Sequence, residues 1–501
     1  MPTVLKVSVV VPVYNPGAAF EECVDSLLAQ TLPAHEHELI FVDDGSTDAT
    51  PARLDALAGE HAHVRVSHQP NSGWPGRPRN LGMDMAEGEY VVFVDNDDVL
   101  GPEALERLHA TARRDDADIV IGKVVGHGKP VPPTLFAENR AGVGMTWPPL
   151  PWLLTPHRLF RRALLDRHGL RFPEGRRRLE DHVFVLGALF RAERISVLAD
   201  YPCYHWMLRD RATSASGDEF DPVEYYRNLQ EVLDVVDAHT EPGPLRDRLY
   251  LRWYRGKVLS RVGGPLFANR SPEARRRRFE EIRELVAARF PEPLDARLPL
   301  VLRRRAALVR GGTVEQLEAL TERERRLGAA VFAREVRAEG GDLVLRLVAT
   351  VRDPAGVLRA EDGGADAGGL GEVTLQLRAT GQDELFLLPA EVREHPPRRG
   401  RLELEVLARV APATAAAGRP LACGDHVLRA SVYAGGVRRD AYVTGGRRSP
   451  WLMLHVARDG TASVKRPALR SRVAATVPAL RRLAALRRRP AAEPAPDGED
   501  A

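Results

Sequence analysis

Apolar positions in the N-terminal part of the chain fall into two alternating patterns. Residues 7–14, VSVVVPVY, are a short, almost wholly apolar run, as in a strand covered on both faces. Behind it Phe20, Val24, Leu27 and Leu28 recur at helical spacing. HELIFVDDGS (37–46) reads as a second buried strand ending in acids, and STDATPARLDALAGE (46–60) restarts a helix behind a Ser/Thr cap. VRVSHQ (64–69) is a third strand, followed by a Gly/Pro-rich loop, PNSGWPGRPRNLG (70–82). EYVVFVDNDD (89–98) is the fourth. Pro102 then sits where a first helical turn accepts proline and opens PEALERLHATARRD (102–115). The order predicts an α/β fold with a mostly parallel, doubly wound sheet, whose ligands bind at the carboxyl ends of the strands. PVYN, DDGS and DNDD all fall at that edge.

Further along the period changes. PVEYYRNLQEVLDVVDAHT (222–240), SPEARRRRFEEIRELVAARF (271–290) and GTVEQLEALTERERRLG (312–328) read as amphipathic helices, the last with a capping box between Thr313 and Gln316. DLVLRLVATV (342–351) and RLELEVLARV (401–410) alternate strictly, as strands of a small antiparallel sandwich do. The expected organisation is an α/β domain over 1–219, a helical connector over 220–338, a β-sandwich over 339–458 and a tail over 459–501. Between Lys465 and Pro490 the tail carries nine basic residues and no acid. Beyond that it turns Ala/Pro/acid-rich and is expected to be disordered.

Composition narrows the class. Hydrophobic residues make up 44% and charged residues 28% of 501, as in a globular protein long enough for about three domains. No run of ~18 apolar residues is present, and MPTVLK leads straight into a strand with no signal-peptide pattern. Cys23, Cys203 and Cys423 are odd in number and far apart, which argues against a disulfide framework and against zinc, so a reducing cytoplasm is expected. The net charge is +3, with only five lysines, so almost all the positive charge is arginine, whose planar fork suits phosphate.

The acids at the end of the fourth strand carry the chemistry. Asp98 is placed to cap the helix behind Pro102. Asp95 and Asp97, two positions apart, can both turn toward a ligand, and such oxygen donors suit Mg²⁺ or Mn²⁺ bound jointly with phosphates. A DxD tripeptide alone is common. Here SVVVPVYN, FVDDGSTDAT, NSGWPGRPRNLG and FVDNDD occur together, in the order and at the spacing of family 2 glycosyltransferases with the GT-A fold. The chain resembles that family over residues 6–215. RRRLEDHVF (176–184) resembles the ED segment of its inverting members, and CYHWMLRDRATSAS (203–216) the segment that follows. Within the family it looks most like the teichoic-acid glycosyltransferases, which carry extra modules behind the catalytic domain.

The resemblance implies roles. Pro12 and Tyr14 would shape the base pocket. Asp44, with Asp43 beside it, would hydrogen-bond uracil and ribose. Asn71 and Arg79 would contact the sugar or phosphate side of a UDP-sugar donor, although Pro78 departs from the small residue usual before the Arg-Asn pair. Asp95 and Asp97 would be the DxD pair, with Asp97 the direct metal ligand. Asp181 would be the base and Glu180 its neighbour near the donor sugar. Arg209 and Ser214 would reach the diphosphate, and His205 is either a third metal ligand or a half-buried imidazole between Tyr204 and Trp206. The chemistry is consistent with these roles. A departing diphosphate builds negative charge that a cation and arginines stabilise, and one carboxylate on the far side of the sugar suffices to deprotonate an incoming hydroxyl.

Other features stay open. Arg176, Arg177 and Arg178 form either a solvated charge run or a seat for an anionic polymer or glycan acceptor. Trp147 and Trp152 either stack on a sugar or pack in the core. The basic tail offers peripheral contact with the inner face of the plasma membrane, a nucleic-acid seat or simply a solvated stretch. The sandwich offers acceptor binding or, favoured by its lack of an aromatic platform, homo-oligomer contacts or scaffolding. No nucleic acid partner is expected. The rivals are a nucleotidyltransferase, for which the Gly-rich phosphate loop is missing after the first strand, and a non-catalytic glycan-binding or assembly protein with a degenerate domain.

Overall fold

The computed structural model describes residues 5–127, 131, 133–147, 150–152, 154–207, 221–298, 300–352, 371–379, 385–388, 390–398, 401–415, 420–421, 423–434, 437–444, 453–457 and 462–465. Its first part runs β1 (Val7–Val13), α1 (Ala19–Leu28), β2 (His37–Asp43), α2 (Thr50–Glu60), β3 (Val64–His68), α3 (Gly76–Met85), β4 (Tyr90–Phe93), β5 (Val99–Leu100), α4 (Ala104–Asp115), β6 (Ile119–His127), β7 (Arg140–Val143), β8 (Leu159–Arg161), α5 (Arg162–Arg167), α6 (Glu180–Arg191) and β9 (Ile195–Met207). These strands make one sheet in the order β3-β2-β1-β4-β8-β6-β9-β5, with β7 on β9. The half from β3 to β4 is parallel, as the alternating pattern requires. Beyond it β8 runs antiparallel to both β4 and β6, so the full sheet is mixed. Every residue of β1 and β2 is buried, which is why their sequences show no polar alternation. Helix α1 covers them with Phe20, Cys23, Val24 and Leu27.

Two local expectations change. The Gly/Pro-rich loop becomes helix α3 from Gly76 onward, and the helix runs on to Met85. Pro75 and Pro78 fall at its N-terminal end, where no intrahelical N–H is required, and Gly82 admits the helix against β1, since a Cβ there would lie 2.3 Å from Val10 Cγ1. At the start of α2 the side-chain bond comes from Asp48, whose Oδ1 accepts from the Thr50 amide at 3.0 Å, rather than from Ser or Thr.

A helical layer follows: α7 (Pro222–His239), α8 (Pro244–Trp253), a π-helical turn over Tyr254–Val258, a 3₁₀ turn over Leu259–Val262, then α9 (Gly264–Ala268), α10 (Pro272–Arg289), α11 (Leu300–Gly311) and α12 (Val314–Arg325). The Thr313–Gln316 capping box opens α12. One continuous apolar core runs from Val7 to Leu317, so the helices pack as part of the same body as the first sheet.

The last part holds β10 (Gly328–Glu339), β11 (Asp342–Arg352), β12 (Gly371–Ala379), β13 (Leu385–Leu388), β14 (Ala390–Arg398), β15 (Arg401–Val410), β16 (Gly424–Ala434), β17 (Val437–Thr444), β18 (Met453–Val456) and β19 (Ala462–Lys465). All neighbouring pairs are antiparallel except a short parallel contact between β10 and β17 that joins the two halves, and β12 comes against β14 and β15. This sheet has its own core. Strand β10 lies, but for its last residue, inside the stretch assigned to the helical connector. A register shift between Ala333 and Glu335 breaks its period of two, which hides the strand from a pattern reading. The tail beyond Lys465 lies outside the described residues. Among the described residues no helix is long and apolar enough to cross a membrane.

Candidate active site at the strand ends

Three loops meet at the carboxyl edge of the parallel half. Asn15, left-handed at φ 41°, accepts from the Thr47 amide at 2.9 Å and donates its own amide to Ser46 Oγ at 3.0 Å. Asp43 Oδ1 accepts from the Ser46 amide and Oδ2 from His68 Nδ1, each at 2.9 Å. Burial opposes the charged form of Asp43, but His68 and then Ser46 outweigh it and hold the carboxyl below its ordinary range. Asp44, also buried, accepts from Gln69 Nε2, from the Ser72 amide and from the Ser72 hydroxyl. Pro12 is buried in β1, and Tyr14 stands at the rim, 48% exposed. Asn71 folds back on its own turn, its Oδ1 accepting from the Gly73 amide at 2.7 Å.

Gly45 lets these loops close. Its φ is +72°, and a Cβ there would fall 2.6 Å from the Asn71 amide nitrogen. Gly45→Ala should therefore cost about 1–3 kcal/mol of stability, read as a lower denaturant midpoint at unchanged slope.

The acids after β4 form a second cluster. Asp95 Oδ1 accepts from Arg79 Nη2 at 2.8 Å and Oδ2 from His157 Nε2 at 3.0 Å. The His157 ring stacks on Tyr204, with centroids 4.1 Å apart and planes 8° apart. The Tyr204 hydroxyl donates to Asp98 Oδ2 at 2.7 Å and accepts from the Asp95 amide at 3.2 Å. Asp98 Oδ1 accepts from the Met207 amide at 2.7 Å. Asp98 is thus not a helix cap: it ties the end of β9 to the acid loop, and α4 has no side-chain cap bond. Burial penalises the charge of Asp95, yet His157 and Arg79 hold its carboxyl far below the usual range. Asp98 goes the other way, pushed up to about 7 by burial and then by Asp95.

Among the described residues, Asp95, Asp98 and His157 are the group whose ligand atoms converge, all within 4.8 Å of one another. The imidazole gathered with these acids is therefore His157. His205 instead lies 2.9 Å from His127, Nδ1 to Nε2, on neighbouring strands. Asp97 is half-buried beside the group and contributes to the field on Asp98.

Arg79 links this cluster to the start of α6. It is 4% exposed, and its Nη1 donates to Glu180 Oε1 at 3.3 Å while the guanidinium lies over the Phe172 ring. Pro78, in the first turn of α3, leaves that helix intact, so Arg79 points inward as a strut between two acids. Leu179, just ahead of Glu180, is left-handed at φ 66°, a strained conformation for a branched side chain. It turns Glu180 and Asp181 into the site. Asp181 is half-buried, and its Oδ1 accepts from the His182 amide at 2.8 Å. Burial, followed by Glu180, pushes its carboxyl up to about 7. His182 is buried and kept neutral, its Nδ1 accepting from Trp253 Nε1 at 3.0 Å.

The helical layer adds cations that the sequence reading missed. Lys257, on the π-helical turn, and Arg252 both act on Asp181. Burial, then Arg261 and Arg252, lower the Lys257 ammonium to about 8. Of the arginine run, Arg177 pairs with Glu231 on α7 at 2.6 Å, and Arg178 lies over the Trp74 ring. Trp147 packs against the core beneath the Arg140 guanidinium. The Trp152 side chain, Arg209 and Ser214 lie outside the described residues.

Comparisons with known proteins bear on the fold and the family. Residues 8–172 match the model of glycosyl transferase family 2, and residues 222–321 that of the glycosyl transferase TarS linker domain. The poly(ribitol-phosphate) beta-glucosyltransferase of Bacillus spizizenii is 36% identical over 236 residues, covering 47% of this chain and 37% of that protein. The poly(ribitol-phosphate) beta-N-acetylglucosaminyltransferase TarP of Staphylococcus aureus is 30% identical over 237 residues, covering 46% of this chain and 72% of TarP. A crystal structure of a TarS fragment from S. aureus with UDP-GlcNAc superposes with a TM-score of 0.58 at 28% identity, over 68% of this chain and 96% of that one. The matched stretch spans 37% and 42% of the length of the B. spizizenii enzyme and of TarS. The ordered motifs, the shared core of sheet and helices and these matches lead to one assignment: the chain belongs to glycosyltransferase family 2.

Proposed function

We propose that this chain is an inverting, metal-dependent glycosyltransferase that moves a sugar from a UDP-sugar to a hydroxyl of an anionic cell-envelope polymer, a polyol phosphate in the first instance. One observation carries the reading: a single buried arginine, Arg79, ties the DxD acid Asp95 to Glu180, so the acids after β4 and the Glu-Asp pair of α6 line one wall. Asp181, buried enough to hold a proton near neutrality, takes the proton of the incoming hydroxyl as it attacks. Glu180, fixed by Arg79, orients the donor sugar. Asp43 and Asp44, locked by the 45–48 and 69–73 loops, present a preformed edge to the base, with Tyr14 over it. Lys257 and Arg252 supply positive charge on the acceptor side, which suits phosphate.

Two carboxylates and an imidazole converging within 4.8 Å, with Asp97 alongside, fit Mg²⁺ or Mn²⁺. Asp95, Asp98 and His157 would hold the ion, which when bound supplies positive charge for the leaving diphosphate. The relatives named for poly(ribitol-phosphate) and the TarS complex with UDP-GlcNAc support the choice of acceptor and donor. The intact acids weigh against a degenerate, purely binding role. For the second sheet we favour self-association. Among the described residues Val392, Leu407 and Tyr442 are exposed large hydrophobics there, and Tyr14 is the only other. The basic stretch 465–490 suits an anionic membrane face.

The test is UDP release from UDP-glucose and UDP-N-acetylglucosamine, with poly(ribitol phosphate) present or absent, in Mn²⁺ and after EDTA. Acceptor-stimulated release that EDTA abolishes, with a β-linked product from the α-linked donor, is expected. Release indifferent to EDTA, or a product that keeps the donor configuration, would sink the reading.

A further inference from the structure

The helical layer contains a buried ion pair with no part in the chemistry above. Arg305 on α11 and Glu324 on α12 are 1% and 0% exposed, joined through Nη2–Oε2 at 2.5 Å and Nε–Oε1 at 3.2 Å. Removing two charges from water carries a desolvation penalty that their attraction barely repays, so such a pair is a poor device for stability alone. Its geometry points elsewhere. The remaining amino group, Arg305 Nη1, donates to the Leu259 carbonyl at 3.2 Å. Leu259 opens the 3₁₀ turn directly behind the π-helical turn that carries Lys257. Where a helix passes from one hydrogen-bond spacing to another, carbonyls lose their regular partners, and Arg305 takes up one of them. Gly263 ends the same segment, and a Cβ there would lie 2.1 Å from Arg305 Cζ, so the guanidinium occupies the space any side chain would need. At the other end of the segment Tyr254 stacks on Phe290 and donates to Asp295 at 2.9 Å.

We propose that Arg305 and Glu324 are positioning residues: together they pin the irregular segment 254–262 so that Lys257 keeps its place near Asp181. The inference rests on Asp181 and Lys257 belonging to the transfer site. Neither Arg305 nor Glu324 touches substrate. They act through the backbone of Leu259, and removing them loosens the segment without unfolding the sheet.

The test uses the full chain with Arg305→Met/Glu324→Leu, which removes both charges together and leaves none unpaired. Glu324→Gln, which preserves shape, serves if the double variant does not fold. Amide hydrogen exchange across 254–262 should quicken by about tenfold or more while β1, β2 and β4 keep their protection. A double-mutant cycle with Lys257→Ala separates positioning from general weakening. In the presence of Lys257 the pair's loss should lower kcat/KM for transfer to poly(ribitol phosphate) by about tenfold, and in the Lys257→Ala background by less than about twofold. Unchanged exchange over 254–262, or equal kinetic losses in both backgrounds, overturns the proposal. If wild type transfers nothing, or Asp181→Asn transfers as well as wild type, the transfer-site reading fails. The exchange result then still decides whether the pair pins the segment.

Discussion

Asp181→Asn should lower transfer to an acceptor by about 10²- to 10⁴-fold while leaving UDP affinity within about twofold. The side chain keeps its size but loses its charge and its ability to take a proton. The pH profile makes the test specific. Burial, then Glu180, push the Asp181 carboxyl up to about 7 from an ordinary 3.8, and only the deprotonated form can act as base. In wild type, kcat/KM should therefore climb as pH rises toward 7 and level off above it, and residual activity in the Asn variant should lack that limb. Stability responds with the opposite sign. A carboxyl whose folded value is raised favours the fold most below 3.8, and that contribution is lost as pH rises through about 7. Asp181→Asn should flatten the fall in stability across this window, read from denaturant midpoints at several pH values.

Arg79→Met should cost about 3–5 kcal/mol of stability, the usual penalty for removing one partner from a buried ion pair. The loss goes beyond two bonds. Asp95 and Glu180 would be left without the guanidinium between them, in a wall where Glu180 is buried and Asp95 is held charged by His157 and Arg79. The deficit should shrink as pH falls, because protonating either carboxyl relieves the uncompensated charge. Denaturant unfolding at pH 8 and pH 5 measures both effects. A loss below about 1 kcal/mol at pH 8 would mean that Arg79 is not a strut and is free to serve a ligand directly.

Much of the fold is written in local periods. β1 and β2 show no polar alternation because both faces are covered, and α1 and α10 keep their helical spacing or caps. What escaped a linear reading depends on long-range packing. α3 looked like a loop because its prolines sit at positions a helix tolerates only at its start, and because Gly82 is set by Val10 rather than by a turn. β10 was hidden by its register shift. At the site, the acids Asp43, Asp44, Asp95 and Asp181 stood out as strand ends or as part of an ED pair. His157 did not: a lone histidine before a three-residue strand carries no pattern, and its value comes from β8 docking beside β4. Lys257 and Arg252 belong to the helical layer, and only the packing of that layer on the first sheet lets them act on the charge of Asp181.

The place of β8 in the sheet also bears on how the protein matures during translation. β3, β2, β1 and β4 can zip together as soon as they leave the ribosome, since each pairs with a strand already made. β6 cannot join them, because its link to β4 passes through Leu159–Arg161, which is synthesised later. Until that short piece wedges in, the nascent chain carries half a sheet with β4 as an open edge, a natural handle for chaperones or for misassociation. His157 arrives on the lead-in to the same strand, so the piece that bridges the two halves of the sheet also brings the imidazole to the acids. A chain stalled before it would be both sticky and inert.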